Sequence, residues 1–308
     1  MESQKPKIAM YVKRPFGEKL NASFDFLKEN WKLLLKFTTY LLLPLCLIQA
    51  LSLNGLMSGA LSISAIASST AMAASSSSLI AFGSYYGLYM FLYLIGIILL
   101  TSLVYGLIRT YNEREERLQG VTLGMLKPRL FRNIKRLLLM TGACILLVLF
   151  VGIFVGLLVA LTPFTLFLTI PFIIAFSVPL ALLAPIYLFE DITLMEAFKK
   201  TFRLGFATWG GVFLILILIG IIASVLQGIV SIPWYVIYIV KMVFTMSDGG
   251  ATSSSVGLNF AQYLFSILML YGSYLSAIFS IVGLVYQYGH ASEVVDSITV
   301  ESDIDNFD

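Results

Sequence analysis

The sequence predicts an all-α integral membrane protein, a polytopic bundle of about six transmembrane helices with three amphipathic interfacial helices. The chain has 308 residues, of which 59% are hydrophobic and only 12% are charged. Soluble domains usually carry about 25% charged residues, and they could not cover so much apolar surface. The apolar residues also form long continuous runs without strict alternation, which favours spanning helices over barrel strands.

Six segments are long and apolar enough to cross the hydrocarbon layer, which is about 30 Å thick. We place the spans near residues 33–57, 85–108, 137–161, 164–189, 209–232 and 260–286. Trp234–Phe244 is apolar but too short to cross alone. Three interpretations stay open: an interfacial or re-entrant piece, a continuation of the fifth span that lies at the surface, or a seventh span. Residues 1–292 are predicted to form one integral membrane domain, and residues 293–308 an acidic cytoplasmic tail.

Lysine and arginine residues concentrate on one side of this topology. The N-terminal region up to Lys36, at the inner end of the first span, the loop after the second span and the loop after the fourth together hold all of them except Lys241. Basic loops remain in the cytoplasm, so both termini are predicted to be cytoplasmic. The net charge of +3 does not indicate a nucleic-acid partner.

Three amphipathic segments precede the odd-numbered spans and predict helices that lie in the headgroup layer. Thr193 and Glu196 have the spacing of a capping box at the start of the third. The order of surface helix, span, loop and span predicts a weak threefold parallel repeat. The predicted apolar faces are Phe16, Leu20, Phe24, Leu27 and Trp31; Leu123, Leu126, Leu130 and Ile134; and Leu194, Phe198, Phe202 and Trp209.

The basic side of these segments is the candidate binding face. A basic amphipathic helix attracts anionic lipids, and each cation contributes about 1 kcal/mol. Anchoring of the spans is one interpretation, and binding of a specific lipid or of a membrane or cytoplasmic protein partner is the other. The candidate lipid or partner face consists of Trp31, Lys32, Arg129, Arg132, Lys135, Arg136, Lys199, Lys200 and Arg203.

The fourth span is rich in proline, and amide side chains are the polar groups predicted at depth. Each proline removes a backbone donor and tends to kink a helix, so a bent or broken span is expected. Amides at depth more often bond between helices than hold a substrate. A transporter, channel or lipid-translocating protein is the alternative function, with a candidate hinge and cavity formed by Pro163, Pro171, Pro179, Pro185, Gln49, Asn54 and Gln227.

The sequence predicts no catalytic, cofactor or metal site, and we expect a non-enzymatic protein. No ionisable residue lies in the middle of a predicted span, which weakens coupled transport and intramembrane proteolysis. Cys46 and Cys144 lie in apolar runs and indicate neither a disulfide nor a reactive thiol. One candidate metal-binding cluster consists of Glu190, Asp191, Glu196 and His290. Helix capping and solvated chain ends are the simpler interpretation of these residues.

One stretch, within residues 183–211, carries a family resemblance. It reads APIYLFEDITLMEAFKKTFRLGFATWGG: a proline-containing span, an acidic turn, a short basic helix and a tryptophan beside the next span. The chain resembles the membrane domain found beside some bacterial glycerophosphoryl diester phosphodiesterases, and related six-span bacterial families. The resemblance implies a protein of the bacterial cytoplasmic (inner) membrane. The chain has no length left for a phosphodiesterase barrel, so we do not expect the hydrolytic activity.

Overall fold

A computed structural model describes residues 6–68, 76–247 and 256–298 of the chain. Its secondary structure is helical, and the described residues contain no β-strand. The prediction of an all-α helical bundle is therefore confirmed. The helices are α1 (Phe16–Ser68), α2 (Ser76–Glu113), α3 (Leu123–Leu161), α4 (Thr165–Leu180), α5 (Leu183–Phe189), α6 (Leu194–Ala207), α7 (Trp209–Ser247) and α8 (Val256–Val295).

Six stretches of these helices are long and apolar enough to cross a membrane, which fits a multi-pass membrane protein. They coincide with the six predicted spans, but most are far longer. The 39 residues of α7 correspond to about 58 Å of helix, roughly twice the hydrocarbon thickness. Trp234–Phe244 is part of α7, so the structure favours a continuation of the fifth span among the three interpretations.

Proline interrupts the fourth span, as predicted. α4 continues through Pro171 but ends at Leu180, just after Pro179. The N–H groups of Ala181 and Leu182 then bond to carbonyls three residues back, at 3.2 and 3.0 Å, before α5 begins. These short-range bonds form a turn because proline supplies no N–H to continue the ladder and its ring clashes with the preceding turn.

Two of the three predicted interfacial helices are not separate elements. The first continues unbroken into its span within α1, and the second does the same within α3. Only the third forms its own helix, α6, which a cap at Thr208 ends before α7 begins. The break is at Thr208, whose backbone leaves the helical region (φ −122°, ψ 27°) and whose N–H bonds to the carbonyl of Leu204.

The side of α1 that packs on protein is not the apolar face that was assigned to lipid. The residues buried there include Lys19, Ser23 and Asn30, and Trp31 is 55% exposed. The Ser23 hydroxyl donates to the Lys19 carbonyl, and the Asn30 amide donates to the Phe26 carbonyl. Polar side chains that bond within their own helix can be buried, and the apolar face that was assigned to lipid is only partly buried in the protein.

The chain divides into two compact units. The first consists of Met1–Leu34, Thr101–Ile221 and Phe279–Asp308, and the second of Leu35–Leu100 and Ile222–Ile278. All lysines and arginines except Lys36 and Lys241 fall within the ranges of the first unit. The single membrane domain expected for residues 1–292 stays a prediction.

The beginning of the predicted acidic tail is packed. Glu293 lies within α8 and is buried. Asp296 forms ion pairs with Lys200 and Arg203 at 2.8 and 2.6 Å. Two close cations therefore hold this end of the chain against α6, and a free tail from residue 293 is not what the structure contains. Residues 299–308 lie outside the described residues.

Candidate functional site

Four arginines meet in the first unit, and we call them, with two carboxylates, the arginine cluster. The arginines come from the C-terminal part of α2 and the first half of α3, and the carboxylates come from the end of α2 and the turn between α5 and α6. On α3 the spacing of three and four residues places its arginines on one side of the helix. The members are Arg109, Arg129, Arg132 and Arg136, with Glu113 and Asp191.

Glu113 ties α2 to α3. Its carboxylate accepts a hydrogen bond from Arg109 Nε at 3.0 Å, and it forms a second ion pair with Arg129. Arg129 Nη1 also donates to the Thr110 hydroxyl at 3.0 Å. Two of the four guanidinium groups are therefore fixed by one carboxylate.

Asp191 lies among three guanidinium groups without a close bond to any. Its carboxylate oxygens lie 3.5 Å from Arg136, 3.7 Å from Arg109 and 3.8 Å from Arg132. These distances exceed the range of about 2.7–3.2 Å for an N–H···O hydrogen bond. Four arginines thus share two carboxylates, and the cluster keeps an excess of positive charge.

Arg136 builds the turn that carries Asp191. Its Nη2 donates to the carbonyls of Tyr187, Glu190 and Ile192 at 2.6, 3.1 and 2.8 Å. The guanidinium carbon also lies 4.1 Å from the centre of the Tyr187 ring. The carbonyls at the end of a helix lack partners within it, so Arg136 acts as a cap for α5.

The outward side of α3 mixes cations with apolar side chains. Lys127, Arg132 and Lys135 are exposed, and so are Phe131 (59%) and Leu138 (53%). Long cationic side chains can cover apolar surface while their charged ends reach the headgroup layer. This side of α3 therefore suits the boundary between head groups and acyl chains.

The predicted apolar face of this segment is partly packed on protein. Leu126 and Asn133 are buried in the protein. The Ser102 hydroxyl donates to the Leu130 carbonyl at 2.9 Å, and the Asn133 amide donates to the Ser102 carbonyl at 3.3 Å. These bonds join α3 to α2, and of the predicted face Leu126 is buried in the protein while Leu123, Leu130 and Ile134 are half-buried.

Two of the three predicted cations of α6, Lys200 and Arg203, form a second group and are paired with carboxylates. Lys200 Nζ lies 2.8 Å from carboxylate oxygens of both Glu190 and Asp296. The Tyr288 hydroxyl donates to the other oxygen of Glu190 at 2.7 Å. Burial lowers the pKa of Lys200, but the hydrogen bonds to Asp296 and Glu190 outweigh it, so its pKa is raised. Lys199 is exposed to solvent.

The other predicted residues of the binding face lie on α1. Trp31 is exposed, and Lys32 Nζ lies 5.8 Å from the centre of its ring, which is cation–π distance. In the part of the chain that the structure describes, neither residue shares a hydrogen bond or an ion pair with the arginine cluster. The residues of the predicted binding face thus form three groups, on α1, on α3 and on α6.

The predicted hinge and cavity residues are divided between the units. Pro163, Pro171, Pro179 and Pro185 belong to the first, and the three amides belong to the second. The amides bond between helices, as expected: Gln49 accepts from the Tyr274 hydroxyl at 2.9 Å, and Asn54 bonds to Ser266 at 3.0 Å. Gln227 donates to the Met269 carbonyl at 3.3 Å.

The imagined metal-binding residues have separate partners. Glu190 bonds to Lys200 and Tyr288, and the His290 Nδ1 accepts from the Arg14 N–H at 3.1 Å. Glu196 closes the predicted capping box with Thr193, which is confirmed. Its bonds to Thr193 lower the pKa of its carboxyl. Among the described residues, no group of three His, Cys, Asp or Glu side chains could hold a metal ion.

Sequence reasoning missed three members of the arginine cluster. Arg109 and Glu113 were readable as an ion pair four residues apart on one helix. Asp191 had no comparable signal, because its position beside the arginines follows from the break in the fourth span.

Comparison with known proteins gives no match to this chain among protein-family models, curated proteins or solved structures.

Proposed function

We propose that the protein is a non-enzymatic scaffold or accessory membrane protein that binds the head groups of anionic lipids through the arginine cluster. The observation that carries this proposal is the excess of guanidinium groups over carboxylates, beside exposed apolar side chains on α3. Cations attract the head group, and the apolar side chains contact the acyl chains.

The chemistry of the cluster favours a phosphate. The planar guanidinium fork matches phosphate oxygens and can donate two hydrogen bonds at once. Arg132 has a side chain that is 48% exposed, and its contact with Asp191 is 3.8 Å long. It can therefore turn to a phosphate, with Lys135 one turn further along the helix. Arg136 holds the turn in place.

The proposal is tested by measuring lipid adducts on the purified protein with native mass spectrometry. We expect phosphatidylglycerol to bind more tightly than phosphatidylcholine. Replacing Arg132 and Lys135 together with glutamine removes two cations, so binding weakens by about 2 kcal/mol, or roughly 30-fold. The matched control is Lys13→Gln with Lys28→Gln, which removes two exposed cations outside the cluster. Equal weakening in both double variants, or equal binding of the two lipids, would contradict the proposal.

The accessory role and the location belong to the same proposal. The resemblance of residues 183–211 supports a bacterial inner membrane, and the distribution of basic residues supports cytoplasmic termini. A protein partner would bind the same cytoplasmic face. Purification from native membranes with mild detergent tests this, and a lone monomer with no lipid preference would count against the role.

A second candidate function is lipid translocation or transport. The observation that favours it is the break between α4 and α5, since an interrupted span can act as a hinge. Vesicles that contain the protein and a fluorescent phosphatidylglycerol would then lose more fluorescence to an external quencher than protein-free vesicles. Identical quenching in the two preparations would exclude lipid translocation.

A further inference from the structure

The second unit contains an open cavity of about 560 Å³ whose lining is partly polar. Pockets for small molecules usually measure roughly 300–1,000 Å³. Residues from α1, α2, α7 and α8 line it. Its polar lining includes Ser52, Asn54, Lys241, Asn259 and Gln262.

The polar lining is held by a chain of hydrogen bonds. Lys241 Nζ donates to side-chain oxygens of Asn259 at 2.7 Å and Gln262 at 2.5 Å. Ser266 bonds to Asn54 at 3.0 Å and accepts from the Trp234 indole N–H at 2.8 Å. Hydrogen bonds therefore hold an ammonium group in the lining, and Trp234 is connected to the site through Ser266.

Ser52 supplies the observation that points to a ligand. It lines the cavity and is only 2% exposed, yet its hydroxyl has no hydrogen-bond partner among the described residues. A serine in a helix commonly bonds to the carbonyl four residues earlier, and here it does not. A buried hydroxyl without a partner is unusual in a folded protein, and a molecule bound in the cavity can satisfy it.

The rest of the lining is apolar and open. Ile48, Leu51 and Leu88 line the cavity and are also exposed at the surface of apolar helices. In a bilayer such side chains contact acyl chains. The cavity thus combines a polar lining, with one cation, and an apolar opening.

We propose that this cavity binds an amphiphile with an anionic head group. The head group contacts Lys241, Asn54 and Ser52, and the hydrocarbon chain lies along Ile48, Leu51 and Leu88. The head group is a carboxylate, as in a free fatty acid, or a phosphate, as in a lysophospholipid. The site is independent of the arginine cluster, so either proposal can fail without the other.

Trp234 provides a reporter. In a variant with Trp31→Phe and Trp209→Phe it is the remaining tryptophan, because the chain has three. The full chain is placed in phosphatidylcholine nanodiscs and titrated with dibromostearate, whose bromine atoms quench tryptophan fluorescence. Dibromostearyl alcohol is the neutral probe of the same chain length. Unlabelled lysophosphatidate then competes with dibromostearate, which distinguishes a carboxylate site from one that also takes a phosphate.

We expect saturable quenching by dibromostearate at a concentration about tenfold lower than for the alcohol, because a charged head group strengthens the hydrogen bonds. Lys241→Met should weaken binding about tenfold, and Ser52→Ala about threefold. Lys36→Met is the matched control, since it removes the other lysine of the second unit, and it should bind as the parent does.

Leu51→Trp keeps the test decisive if the lysine variant does not fold. Leu51 is exposed, so a larger side chain there fills the opening of the cavity without disturbing packed residues. Because this variant has an added tryptophan, dibromostearate adducts are counted by native mass spectrometry instead of measuring fluorescence. Loss of the adduct supports the proposal. Equal quenching by acid and alcohol, unchanged binding in Lys241→Met, or no saturation, as for a cavity that holds only water, would overturn it.

Discussion

Arg136 gives the sharpest test of how the arginine cluster is built. Its Nη2 atom has two hydrogens that three carbonyls share, and its side chain is 19% exposed. Hydrogen bonds to a charged group contribute about 1.5–3 kcal/mol each, and the stacking on Tyr187 adds about 1 kcal/mol. We therefore expect Arg136→Gln to lower the free energy of unfolding by about 4 kcal/mol.

Two further substitutions separate geometry from charge. Arg136→Lys keeps the charge but loses the planar fork, so we expect about half of the destabilisation. Arg132→Gln removes a cation one turn away whose one ion pair in the described structure is 3.8 Å long. That pair is exposed, and its loss should change stability by less than about 0.5 kcal/mol.

The measurement is unfolding in mixed micelles by titration with dodecyl sulfate, followed by circular dichroism. A midpoint for Arg136→Gln that equals the parent's would show that Arg136 is not the cap of α5. Equal destabilisation by Arg136→Gln and Arg132→Gln would show that charge, rather than the bonds to the three carbonyls, stabilises the cluster.

Three other predictions concern α6 and the topology. The pKa of Lys200 is raised from 10.5 in the folded protein. Its ion pairs therefore stabilise the fold fully below pH 10.5, and this contribution is lost as the pH rises through the raised pKa. The stability difference between the parent and Lys200→Met should shrink over that rise in pH. Thr193→Ala removes the cap of α6 and should cost about 1 kcal/mol, measured by thermal unfolding. In a variant with both native cysteines replaced by alanine, Lys28→Cys and Met125→Cys should react with an impermeant thiol reagent from the same side of the membrane, and reaction from opposite sides would refute the positive-inside topology.

Span positions could be predicted because they depend on composition over about twenty residues. The length of the helices could not. Nothing in the hydropathy of α1 or α3 marks where a helix leaves the bilayer, and no helix-breaking pair separates the amphipathic part from the span. The break in the fourth span was predictable, since proline acts through the backbone of its own helix.

Burial of single side chains was less predictable, and Lys19 shows why. A charged side chain is expected on the solvated side of a helix, yet Lys19 is 3% exposed and donates to Gln287 at 2.8 Å. That partner is 268 residues away in the chain. A Cβ on Gly211 would lie 3.2 Å from Lys19 Nζ. The lysine therefore fits beside α7 at a position where glycine provides no side chain. A single sequence contains no local signal for such a combination.

The candidate site was predictable in residue type and not in geometry. Counting basic residues by loop found every cation of α3 and α6, because a charge excess is a property of a segment. The count treated both helices as one binding face. Their difference depends on acidic partners brought by tertiary structure: Glu190 and Asp296 at α6, and Asp191 at α3.

Charge compensation distinguishes these two basic groups physically. At α6, Lys200 and Arg203 lie within 2.6–2.8 Å of their carboxylates. At α3, the carboxylate of Asp191 lies 3.5–3.8 Å from three guanidinium groups, and its side chain is 59% exposed. Coulomb attraction falls with distance and with solvent screening, so the second arrangement neutralises its arginines less. A phosphate at hydrogen-bond distance would gain more from Arg132 than Asp191 does. Lipid binding should therefore weaken with added salt at α3, while the ion pairs of α6 persist.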